Sequence, residues 1–170
     1  MRATACSVTR TALLDNWIWG LSLVALTLAI HATSMTLMAA VLYRYRLRLR
    51  SRSASLAHAI ATVIGTITSA GMLLATLHIM EAAIWAVTYV WLGAFGSLEE
   101  AMLYSIDSIA TRGASGLAVQ PHWQMLGALE AVNGVLLFGI STAFIFTVMQ
   151  YYYQDLVFRL WPDDSGTPTR

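Results

Sequence analysis

Lysine is missing from this 170-residue chain, so all ten of its basic residues are arginine. Charge of either sign is scarce: 11% of the residues are charged, against about a quarter in a soluble domain. That scarcity excludes an ordinary water-soluble globule with a charged shell. Cysteine occurs once, as Cys6, which excludes an intrachain disulfide and any thiol-based metal site. Proline is absent from residues 16–43 and 55–95, so nothing in those stretches forces a helix to stop. No basic patch is interleaved with aromatics, and a net charge of +1 gives no sign of a nucleic-acid partner. No nucleophile–base pair and no cofactor motif occurs, and histidines 31, 58, 78 and 122 share no motif spacing. The expectation is a protein that is not an enzyme and carries neither cofactor nor metal.

What the chain has instead is apolar length: 58% of it is hydrophobic. The run from Trp17 to Tyr43 far exceeds the roughly 7–15 residues of a signal-peptide core. It predicts a membrane helix from about Asn16 to Tyr43, with Trp17 and Trp19 at one interface and Tyr43 and Tyr45 at the other. Residues 1–15 are polar and predict a disordered N-terminus. His31, in mid-span, predicts a neutral imidazole bonded to a neighbouring helix, with a proton or ligand site as the alternative. Arg44, Arg46, Arg48, Arg50 and Arg52 then crowd into nine residues. Arginine clustered beside a span marks a short cytoplasmic loop, and such a loop contacts anionic lipid head groups. Residues 16–53 thus form a first segment, helix plus arginine loop.

Residues 54–96 follow with few charges. A single helix over 55–95 would be about 60 Å long. Either one long helix projects beyond the bilayer, or two spans break near Leu77–Ala82. With the arginine loop and the arginines at 159 and 170 all cytoplasmic, only an odd number of crossings fits, which favours one long outer helix. His78 and Glu81 stand three apart and share a helix face, predicting a hydrogen bond that locks helix packing; a metal would need more ligands than this pair supplies. Residues 97–121 are too short and polar to span. Ser97 and Glu100 form a capping-box pair, so a short helix is expected from Leu98 to about Ala110, followed by a loop of small residues. Polar backbone at membrane depth is tolerated only where it is buried in protein or lines water, so this insert is expected to re-enter the membrane. A last helix covers 122–153, punctuated by Gly127, Gly134 and Gly139, and a short tail occupies 154–170.

Long helix, short helix, glycine-containing loop, then a helix with a mid-span glycine is the order of the potassium-channel pore-loop family. The chain resembles that family over about residues 75–150. Ala101, Tyr104, Ser105, Thr111 and Gly113 fall where it has its alanine, aromatic, serine, filter threonine and first filter glycine. Trp123, Leu129-Glu-Ala-Val-Asn-Gly134 and Ser141-Thr-Ala-Phe resemble the inner helix of small prokaryotic members. The resemblance implies an all-α integral membrane fold with three transmembrane helices and a re-entrant pore helix. It also implies a homotetramer around one axis, in the bacterial inner (plasma) membrane, conducting an inorganic ion through filter carbonyls. The N-terminus would lie outside and the C-terminus in the cytoplasm. By the same resemblance the filter is Thr111, Arg112, Gly113, Ala114, Ser115 and Gly116. Asp107, Tyr104, Ser105 and Glu130 support it, Gly134 and Gly139 form the inner-helix hinge, and Ser141 and Thr142 line the cavity.

The filter itself departs from the family. Where TVGYGD should stand, the chain reads TRGASG, and Ala110 replaces the preceding threonine. Serine tolerates left-handed backbone poorly compared with glycine, so potassium selectivity is expected to be weak or lost. Arg112 either pairs with Asp107 behind the filter or faces the axis, where four copies would favour anions. A non-conducting membrane scaffold is the remaining expectation.

Overall fold

The computed structural model describes residues 2–49, 56–113 and 116–160, and among them every regular element is helical. Helix α1 spans Arg2–Leu49, α2 Leu56–Trp91, α3 Leu98–Ile109 and α4 Gln124–Leu160, the last preceded by a 3₁₀ turn at Pro121–Trp123. Three of these carry stretches long and apolar enough to cross a membrane: Leu14–Arg44, Ala57–Trp91 and Pro121–Gln154. The 12 residues of α3 reach about 18 Å, well short of a hydrocarbon core of about 30 Å.

Several boundaries differ from those expected. Helix α1 begins at Arg2 rather than near Asn16, because residues 2–19 hold neither glycine nor proline to stop it. It also runs on to Leu49, so the first three arginines of the cluster are helical rather than in a loop. Arg50 and Arg52 lie outside the described residues. Likewise α4 continues to Leu160 instead of ending at 153. The stretch from Leu56 to Trp91 is one unbroken helix of 36 residues, so no second break occurs near Leu77–Ala82. It closes at Gly93, whose φ of +69° supplies the left-handed residue helix ends favour.

The chain divides into two compact bodies. One comprises Met1–Ser34 with Ala75–Ile140, the other Met35–Leu74 with Ser141–Arg170. Within the first, α1 and α2 run antiparallel: Trp19 meets Trp91 edge-on at 5.1 Å, while His31 meets Glu81. Within the same body α4 runs parallel to α1, since Asn16 bonds Leu126 and Thr27 bonds Asn133. Its core gathers Trp85, Tyr89 and Phe95 from α2 and the turn after it, with Ala101 and Ile109 of α3 and Leu126 of α4. Ala101, Ser105 and Ile109, spaced by four, form the buried stripe of α3.

The second body buries Met35, Ala70, Leu74, Val148 and Tyr152. Its hydroxyls bond within their own helices: Thr62 donates to the His58 carbonyl, Thr66 to Thr62 and Thr147 to Ala143. This back-bonding satisfies polar side chains along an apolar helix.

Candidate functional site

The sequence-predicted pore segment is built around α3. Ser97 caps it, accepting a hydrogen bond from the Glu100 N–H at 3.2 Å, and Glu99 and Glu100 occupy the first turn, where the helix dipole favours negative charge. At the other end the Arg112 N–H donates to the Asp107 carbonyl and the Thr111 N–H to that of Ser108, both at 2.9 Å. Those two bonds are the Schellman pattern of helix termination. Its left-handed position is held by Thr111, with φ of +55°. A β-branched residue there is strained. Gly113 and Gly116 follow with φ of +58° and +69°, so three of the five described residues from 111 to 117 are left-handed. Ala114 and Ser115, two of the positions expected by resemblance to belong to a filter, lie outside the described residues.

Arg112 and Asp107 do pair: Arg112 Nε lies 3.1 Å from Asp107 Oδ1, with the arginine side chain 66% exposed and the aspartate buried. A pair with one exposed partner contributes less than about 1 kcal/mol, but it neutralises a carboxylate that would otherwise stand buried and charged. Asp107 Oδ2 accepts no hydrogen bond. Beside the pair opens a hollow of about 390 Å³ lined by Tyr104, Asp107, Thr111, Gly113, Gly127 and Ala131, among others.

Glu130 anchors α3 from behind. It is fully buried, accepts the Tyr89 hydroxyl at 2.8 Å and the Ser105 hydroxyl at 2.6 Å, and so ties α2, α3 and α4 together. Tyr89 meets Tyr104 and Phe95 edge-on, at 5.5 and 5.8 Å. Of the four predicted support residues, Ser105 and Glu130 bond each other, Tyr104 packs on their tyrosine partner, and Asp107 turns to Arg112. Nothing in the spacing of Tyr89 from Glu130, 41 residues away, marks them as partners in the sequence.

The two predicted hinge glycines are placed differently. A methyl group on Gly134 would run into the backbone of Ile109, at the end of α3, whereas one on Gly139 would meet nothing. Gly134 is therefore a close-contact residue seating α3 against α4. Gly127 is similarly filled by the Tyr104 ring. Ser141 and Thr142 belong to the second body, with Ser141 buried and Thr142 exposed.

No family model, curated protein or solved structure matches this chain. Two further polar clusters occupy the first body. Asn16 of α1 donates to the His122 carbonyl at 2.7 Å and accepts the Leu126 N–H at 2.9 Å, capping α4 from another helix. His31 Nδ1 stands 2.9 Å from Glu81 Oε1, which gives the mid-span histidine its expected partner on a neighbouring helix. Ionisable groups inside spanning segments default to a functional hypothesis, the one signal by which His31 and Glu81 stood out in the sequence.

Proposed function

We propose that the chain is the subunit of an ion channel of potassium-channel descent, assembled as a homotetramer, with weak or lost potassium selectivity. The observation that supports this reading best is α3 itself. A capped helix too short to span sits between two spanning helices. A buried hydroxyl–carboxylate bond fastens it to α4, whose Glu130 also accepts the Tyr89 hydroxyl of α2, and the loop that follows is rich in left-handed residues. Such a loop turns successive carbonyls in a way ordinary extended backbone does not, which is what carbonyl coordination of an ion requires. In this reading the N-terminus and the α2–α4 connection face outward and the arginine cluster faces the cytoplasm, against anionic lipid.

The Arg112–Asp107 contact bears on which ion passes. Paired with a carboxylate at 3.1 Å, each guanidinium presents little net charge, which argues against a bare basic ring selecting anions. Pure protein reconstituted in planar bilayers should conduct cations with little discrimination between potassium and sodium. Strong potassium-over-sodium and potassium-over-chloride selectivity would refute the proposed filter. A stable monomer or dimer, passing no current, would refute the channel.

A further inference from the structure

Away from α3, the first body brings together three side chains that the chain keeps far apart in sequence. His78 and Glu81 lie one turn apart on α2, and His31 reaches them from α1. Their donor atoms all fall within 4.8 Å of one another. We propose that His31, His78 and Glu81 form a binding site for a divalent transition-metal ion of the zinc class, joining α1 to α2.

The spacing fits such an ion. His31 Nδ1 is 2.9 Å from Glu81 Oε1 and His78 Nδ1 is 3.4 Å from Glu81 Oε2. A tetrahedral zinc with bonds of about 2.0–2.1 Å sets its donors about 3.4 Å apart. Admitting the ion therefore asks the shorter contact to open by about half an ångström, and the donor atoms, which lie within 4.8 Å of one another, to close on one carboxylate oxygen. Each carboxylate oxygen faces one imidazole, and Oε2 is buried without a hydrogen bond. Two ring nitrogens and a carboxylate suit zinc and its neighbours, while calcium and magnesium prefer oxygen throughout. Helical bundles commonly hold metals in this way, with ligands three apart on one helix and another from a facing helix.

The surroundings favour a fixed site. His78 is stacked on Phe138 at 4.4 Å and lies 5.2 Å from the His31 ring, which restricts its rotation. His31 and Glu81 are both buried within spanning helices. A carboxylate there is costly unless a proton or cation neutralises it, and a shared metal does so for all three residues at once. Three protein donors leave a fourth position for water. None of these residues belongs to α3 or the loop after it, so the metal site is tested separately from conduction.

The test uses the full chain, freed of tag histidines, stripped with chelator in detergent and titrated with zinc alone. One ion should bind per chain and raise the thermal unfolding temperature, since a ligand bound to the native state stabilises it. Cobalt in its place should give the visible absorption bands of a four-coordinate site. Glu81→Gln and His78→Gln should each weaken zinc at least about tenfold, while His58→Gln, elsewhere on α2, leaves it unchanged. X-ray absorption of the zinc-loaded wild type needs no variant to fold and should resolve two imidazoles. Absence of saturable binding, wild-type zinc affinity in both ligand variants, or fewer than two imidazoles would overturn the site.

Discussion

Thr111 holds a left-handed backbone where a helix end normally places glycine. The conformation costs a residue with a Cβ about 1–2 kcal/mol, part of which glycine returns through its greater freedom when unfolded. Thr111→Gly should therefore raise stability by up to about 1 kcal/mol, read as a higher unfolding temperature in detergent. A drop would mean that the threonine side chain makes a contact outweighing its strain. Glu130 is the opposite case, a residue whose partners all depend on it. Glu130→Ala leaves the Tyr89 and Ser105 hydroxyls without their acceptor and should cost about 2–4 kcal/mol. Glu130→Gln, which keeps one acceptor and adds a donor, should lose less than half as much; denaturant titration of the two variants distinguishes them. That Glu130 mattered was legible through its place in a family-like motif. Its bonding partners were not, because pairs 25 and 41 residues apart are set by helix register, which local pattern does not encode.

At the scale of elements, the start of α3 was readable to the residue, since Ser97 and Glu100 carry their own mechanism. The ends of α1 and α4 were not. Each was expected to stop where apolar residues give way to polar ones, whereas a helix stops at glycine, proline or an unmet cap. The packing of α3 on α4 shows what spacing could not. Gly134 occupies the hinge position of the resembling family, yet its missing side chain makes room for the Ile109 backbone. Gly134→Ala should cost about 1–3 kcal/mol through overpacking. Gly139→Ala, with open space around it, should be neutral or stabilise by up to about 1 kcal/mol, as alanine does in a helix. Equal thermal shifts for the two alanines would restore the hinge interpretation for Gly134.

At the scale of the whole molecule, sequence alone gave three spans, the short fourth helix and the likeness to a pore unit. It set α1 apart from that unit, because nothing in the periodicity of an evenly apolar helix tells which neighbour it will touch. In the fold, α1 lends Asn16 to the first turn of α4 and bonds Asn133 through Thr27. Cutting the chain back to its last two long apolar helices by deleting residues 1–44 should give protein that aggregates on size exclusion and loses its helical circular dichroism on mild heating. An engineer seeking the smallest working version would have to graft a substitute for that borrowed amide, or else keep the leading helix as part of the machine.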